Sequence, residues 1–192
     1  GESDWLADPK GYQVFGYVAD MVALLQHLRA QRQASAPLDI DWVGTSMGGA
    51  RPKAVVEDDR ATIATFTEAD FFKLIAATHA GLTGAQFQKA AADWLAVAKN
   101  PRFNRLHTEL VFQPMLEVLA YLRANGYKTY IVTGGTLDFV RSFAEKAYGV
   151  PPEQVIGTSF EAKYAFTNGV ATVTAEPKLM LLDDGPGKGI GI

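Results

Sequence analysis

The chain contains no cysteine. A disulfide scaffold, a thiol nucleophile and a cysteine-based zinc site are therefore excluded. It also lacks any run near the roughly 18 uninterrupted apolar residues that a membrane helix needs. Its N-terminus shows no basic region followed by an apolar segment and a cleavage site, so no secretory signal is read there. Neither sign of charge is in excess: 18 Lys plus Arg stand against 21 Asp plus Glu, a net charge of −3. Such a balance supplies no general attraction to nucleic acid or to an anionic membrane, and neither is expected as a partner. A cytoplasmic location is the expectation. An initiator Met is missing before Gly1-Glu2-Ser3-Asp4, and Gly189-Ile190-Gly191-Ile192 ends on what reads as the start of a strand or loop. A truncated or chimeric chain is expected from these two ends.

What is present suits one ordinary α/β domain with a small insert. The chain has 192 residues, 48% of them hydrophobic and 20% charged. A fold of this size buries roughly 70% of the surface of its extended chain, enough for a core without metals or disulfides. Val14, Val18, Met21, Val22, Leu25 and Leu28 recur at helical spacing. Leu38 to Val43 then reads as a strand running into the glycine-rich turn Gly44-Thr45-Ser46-Met47-Gly48-Gly49. Thr67 with Asp70, and Thr83 with Gln86, are helix-start signatures that open an aromatic-rich helical pair. Beyond Pro101 the pattern becomes helix, strand, glycine turn and helix, the order of a parallel α/β unit. That order comprises a helix over Met115–Leu122 ending at Asn125-Gly126, a strand over Tyr127–Val132, Thr133-Gly134-Gly135, and one helix from Leu137 to Tyr148 closed by Gly149. Val155-Ile156 and Lys178–Leu182 are further strand candidates, and Asn168-Gly169 is the strongest hairpin signal. The expected division is residues 1–50 as helix, strand and elbow joining the core sheet, 51–107 as helical cap, and 108–192 as α/β core with a hairpin.

The first chemical candidate is Gly44-Thr45-Ser46-Met47-Gly48, a G-x-S-x-G sequence directly after a strand. Small flanking residues are needed because the nucleophile sits on a strained strand-to-helix turn. With Asp41-Trp42-Val43 before it, residues 1–50 resemble the nucleophile-elbow segment of the α/β-hydrolases. The resemblance implies Ser46 as nucleophile and the Met47 backbone N–H as an oxyanion donor. A serine esterase also needs an acid and a histidine base. The histidines after Ser46 are His79 and His107; both sit beside the helical insert, where a structural role is the simpler reading.

A second resemblance covers residues from about 52 to 192. Its carrying segments include Ala76-Ala77-Thr78-His79-Ala80-Gly81-Leu82-Thr83, Asp93-Trp94-Leu95-Ala96, Thr108-Glu109-Leu110-Val111-Phe112-Gln113-Pro114-Met115, Tyr130-Ile131-Val132-Thr133-Gly134-Gly135, Pro151-Pro152-Glu153-Gln154-Val155-Ile156-Gly157, and Asp183-Asp184 through Gly187-Lys188. Together they resemble a haloacid dehalogenase-like hydrolase of the phosphoserine-phosphatase-like kind. That resemblance implies a three-layer, Rossmann-like parallel sheet with a helical cap, here about residues 67–98, and hydrolysis of phosphate monoesters. It implies Thr133 as the second-motif hydroxyl, binding phosphate with the N–H groups of Gly134 and Gly135, and Lys188 as the third-motif lysine. The expected partner is a small phosphorylated or anionic metabolite, with Mg²⁺ as cofactor.

The sequence departs from that family in places that bear on turnover. No Asp-x-Asp-Gly-Thr sequence occurs, Asp39-x-Asp41 has the spacing only, and Gly189 follows Lys188 where the family commonly has proline. A late acidic motif is also missing, so impaired phosphatase chemistry on an incomplete scaffold is expected. Asp183 and Asp184 are the candidate metal ligands, although neighbours on a strand point to opposite faces. Hydrogen bonding around the Asp-Asp-Gly-Pro-Gly turn is their simpler role. Two alternatives stay open beside the phosphatase-like reading: an esterase using Ser46, and a non-catalytic fragment that forms homo-oligomers through exposed apolar surface.

Overall fold

The computed structural model describes residues 60–63, 65–100 and 102–192. The elbow residues Ser46 and Met47, the Asp39-x-Asp41 pair, and the helix and strand expected before residue 50 lie outside them. Two compact units divide between Thr78 and His79.

In the first unit, α1 (Arg60–Ile63) precedes α2 (Glu68–His79), whose last residue opens the second unit. The start of α2 carries the expected cap in reciprocal form. The Thr67 N–H and hydroxyl donate to Asp70 Oδ2 at 3.0 and 2.7 Å, and the Asp70 N–H donates back to Thr67 Oγ1 at 3.3 Å. Asp70 is buried at 4% exposure, so its hydrogen bonds keep a buried charge solvated by the backbone.

The second unit begins with α3 (Gly84–Leu95), opened by the Thr83–Gln86 capping box. Its buried residues Phe87, Ala90, Ala91, Trp94 and Leu95 follow helical spacing and form one stripe. That stripe faces α5 (Leu137–Arg141): Trp94 meets Phe139 at 6.3 Å between ring centroids, and Gln88 Nε2 donates to Asp138 Oδ1 at 2.8 Å. A two-residue ladder, β1 (Lys99–Asn100) with β2 (Arg105–Leu106), links α3 to α4 (Gln113–Ala124).

The sheet has the order β3 (Ile131–Thr136), β4 (Val155–Thr167), β5 (Val170–Leu181). β3 and β4 are parallel and joined through α5 and α6 (Ala144–Tyr148), which makes a mixed α/β fold. Val140, Ala144, Val150 and Val155 form the core between helices and sheet, with Ile131, Leu137, Phe139 and Phe143 packed around them. β4 and β5 continue as an antiparallel ribbon turned at Asn168 and Gly169, both at positive φ (53° and 79°), as the Asn-Gly pair predicts. A register irregularity in the ribbon lies between Phe160 and Ala162, opposite the stretch holding Pro177, which has no N–H for the ladder.

Several expectations are corrected. The single helix over Leu137–Tyr148 is two: the Ser142 hydroxyl donates back to the Phe139 carbonyl at 2.6 Å and Phe143 leaves helical geometry at φ −136°. Gly149 closes the second piece at φ 66°, as expected. Tyr127 to Tyr130 precede the strand instead of forming it. Val155-Ile156 and Lys178–Leu181 are not separate short strands: the first opens β4, paired with β3, and the second closes β5 at the end of the ribbon away from its turn. Of the residues that mark α4, Leu116, Leu119 and Leu122 are half-buried and Met115 is 55% exposed, while Phe112, just before the helix, and Tyr121 are exposed. Tyr164 and Phe166, on one face of the ribbon, are also exposed. No helix among the described residues is long and apolar enough to cross a membrane.

One backbone approach fixes the sheet locally. A Cβ on Gly157 would lie 2.9 Å from the Gly135 carbonyl oxygen and 3.2 Å from the Leu137 backbone, neither of which can turn aside like a side-chain tip. Gly157→Ala is expected to destabilise the fold by about 1–3 kcal/mol, read as a lowered urea midpoint with unchanged slope.

Candidate functional site

The site forms where β3 ends. Thr133 pairs with Gly157 and Thr136 with Thr158, so Gly134 and Gly135 bulge out of the parallel ladder between them. Two residues without side chains let the bulge form and leave its backbone open to solvent. The carboxyl end of a parallel strand is the usual ligand position in open α/β sheets.

Within the bulge the Gly135 N–H donates to Thr133 Oγ1 at 3.0 Å. The sequence reading had that N–H pointing at a ligand beside the hydroxyl; instead it is engaged internally. Because the hydroxyl oxygen accepts this bond, its own proton is left to serve another acceptor. Gly134 presents its carbonyl inward, where Thr158 Oγ1 donates to it at 2.8 Å.

The chain returns to this point after β5. Asp183 and Asp184 lead into the turn Gly185–Gly187, closed by Gly187 N–H to the Asp184 carbonyl at 2.8 Å, and α7 (Lys188–Gly191) follows. Lys188 Nζ donates to the Val132 carbonyl at 3.2 Å. That carbonyl belongs to the peptide joining Val132 to Thr133, so two of the residues named from sequence, 55 positions apart, meet at one strand end. The ammonium has three donors, of which this bond uses one.

The two aspartates part company. Asp184 is exposed and packs on Gly134: a Cβ built there would lie 3.2 Å from Asp184 Cγ and 3.3 Å from Oδ1. Asp183 is fully buried, its Oδ1 so close to Gly191 that a Cβ on that glycine would sit 2.7 Å away. Neither carboxylate oxygen of Asp183 meets a hydrogen-bond donor among the described residues, so its expected role in bonding the turn through the side chain is not what is found. Its backbone N–H donates to Thr158 Oγ1 at 3.2 Å.

This donor set does not fit the divalent cation expected from sequence. A hard cation takes about six oxygen ligands, and Mg²⁺ is usually anchored by one or two carboxylates in near-octahedral array. Here one carboxylate faces the bulge and its neighbour faces the interior. Among the described residues no group of three or more His, Asp or Glu is placed to hold a metal.

The downstream histidines are packed against aromatic rings. His79 is buried between Phe87, at 3.7 Å between centroids, and Phe160, at 4.8 Å; His107 stacks on Trp94 at 5.7 Å. Thr158 was missed by sequence reading. Its only local signal is its place after Gly157 on a strand, and its two partners are Gly134 and Asp183, both remote in sequence.

Comparison with known proteins gives two findings. A family model described as haloacid dehalogenase-like hydrolase matches residues 31–181, more than three-quarters of the chain. The match takes in Thr133, Gly134, Gly135 and Thr158 and stops before Asp183, Asp184 and Lys188. The 3-hydroxybutyrate-oligomer hydrolase of Cupriavidus necator is 49% identical over 49 residues, which is 26% of this chain and 14% of that protein. The chain therefore spans a small part of that relative's length.

The position of Lys188 depends on the turn before it. A Cβ on Gly187 would collide with the Leu182 carbonyl oxygen. Gly187→Ala is expected to open the turn, lowering stability by roughly 2 kcal/mol and displacing Lys188 from β3; urea unfolding and the loss of any anion-dependent thermal shift measure the two effects.

Proposed function

Because the chain belongs to the haloacid dehalogenase-like hydrolase family, we propose that the end of β3 is its phosphoryl-binding site and that a small phosphate monoester is the substrate class. The supporting observation is the hydrogen bond from Lys188 Nζ to the Val132 carbonyl, which holds a positive charge at the peptide that leads into Thr133. A phosphoryl group is dianionic or nearly so, with three acceptor oxygens, and suits a hydroxyl donor together with an ammonium. The finer architecture belongs to the same proposal: a Rossmann-like three-layer core, with helices α2 and α3 read as its cap.

Binding and turnover part at this site. Phosphoryl transfer is catalysed by positioning and by charge stabilisation, and in this family's resemblance the aspartate pair and Mg²⁺ supply much of both. The Asp-x-Asp-Gly-Thr sequence is absent from these 192 residues. Thr133 and Lys188 orient and neutralise the phosphoryl oxygens, while no described carboxylate stands ready as nucleophile except Asp184, which is turned onto Gly134. Impaired hydrolysis with retained anion binding follows.

A second reading rests on the local similarity to the 3-hydroxybutyrate-oligomer hydrolase. In it Ser46 attacks a carboxylic ester with the Met47 N–H as oxyanion donor. His79 and His107 stack on aromatic rings, and Ser46 lies outside the described residues. Covalent labelling of Ser46 by a fluorophosphonate would support it, and an unlabelled chain would dismiss it.

The phosphoryl reading is tested by calorimetric titration with inorganic phosphate in chelator, alongside a magnesium-dependent aryl phosphate assay. Lys188→Met is expected to weaken binding by about tenfold through loss of one charge-assisted contact. Asp184→Asn removes a repelling charge beside Gly134 and is expected to tighten phosphate by roughly threefold at low salt. A wild-type chain that takes up no phosphate, or a Lys188→Met chain that binds as tightly, contradicts the reading.

A further inference from the structure

The bulge holding the candidate site is made of two glycines, and a Gly-Gly peptide is the one most free to rotate. In a trans peptide the C=O and the following N–H point in opposite directions. The Gly134–Gly135 unit therefore has two useful orientations. In one its N–H lies toward Thr133; in the other, after a flip, its carbonyl does, and an oxygen replaces a donor beside a site meant for an anion.

Thr158 decides between them. It is 2% exposed, and its hydroxyl has one proton to give. That proton goes to the Gly134 carbonyl at 2.8 Å, and the oxygen accepts the Asp183 N–H at 3.2 Å. The second bond leaves the hydroxyl little freedom to turn away. With the Gly134 carbonyl held inward, the Gly135 N–H points outward and donates to Thr133 Oγ1 at 3.0 Å. The result is a continuous run from the Asp183 N–H through the Thr158 hydroxyl and the Gly134–Gly135 peptide to the Thr133 hydroxyl. Bonds in such a run polarise one another.

We infer that Thr158 is a positioning residue of this site: its buried hydroxyl locks the Gly134–Gly135 peptide and thereby aims the Thr133 hydroxyl proton outward at an anion. The inference rests on the phosphoryl reading of Thr133, but the lock itself exists without any ligand. Because the same hydroxyl takes the Asp183 N–H, it also ties the bulge to the segment that leads to Lys188. The two donors of the site are thereby kept in one arrangement by a side chain that touches neither ligand nor solvent.

The experiment compares Thr158→Val, which keeps the shape and removes the hydroxyl, with Thr158→Ser, which restores it. Two readouts are taken on the full chain: the dissociation constant for inorganic phosphate, and the hydrogen-exchange rate of the Gly135 amide without ligand, referenced to α3 amides. Thr158→Val is expected to weaken phosphate and to speed Gly135 exchange, each by about tenfold, with Thr158→Ser within about threefold of wild type in both. A valine chain that binds phosphate as wild type with Gly135 still protected overturns the inference, as does a serine chain that fails to rescue. If the valine variant does not fold, Thr158→Ser against Thr158→Ala carries the same comparison. If unaltered chain takes up no phosphate, the anion reading falls, and Gly135 exchange alone decides whether the lock stands.

Discussion

The second unit is organised around a buried hydroxyl. Thr158 meets the Gly134 carbonyl and the buried Asp183 N–H at once. One side chain satisfies two backbone groups, so an apolar replacement of Thr158 would leave both without this partner. That contact joins the bulge after β3 to the segment that leads from β5 into the following turn. What reaches solvent is the consequence: a threonine hydroxyl and a lysine ammonium at one strand end.

Charge then shapes what the site can do. Lys188 brings a positive charge next to Thr133, while Asp184 brings a negative one next to Gly134. The two oppose each other in any field felt by an anion, and salt screens both because the site is open. Membership of a hydrolase family gives the scaffold, and the Asp-x-Asp-Gly-Thr sequence does not occur in these 192 residues.

What could be read from sequence was local chemistry. The caps at Thr67 and Thr83, the left-handed closure at Gly149 and the Asn168-Gly169 turn each depend on residues within a few positions, and each is found. Thr133 and Lys188 were named through family resemblance, and Lys188 bonds the carbonyl of the residue before Thr133. The length of the β4–β5 ribbon was not legible, because most of its outer part is exposed and no buried face imposes an alternation of apolar and polar residues there. The break at Ser142 was hidden because a hydroxyl that bonds back three residues leaves no mark on hydrophobic spacing. Thr158 was hidden for a different reason: its partners are 24 and 25 positions away, and only the sheet register brings them near. The sequence-based candidates Ser46 and Met47 lie outside the described residues.

The central claim is that an anion is held between the Thr133 hydroxyl and the Lys188 ammonium. Diffraction from crystals of the full chain soaked in inorganic phosphate tests it most directly. The account predicts tetrahedral density within hydrogen-bond reach of Thr133 Oγ1 and Lys188 Nζ, with the Gly134 carbonyl still turned toward Thr158. An empty strand end, or phosphate bound only elsewhere, would contradict it.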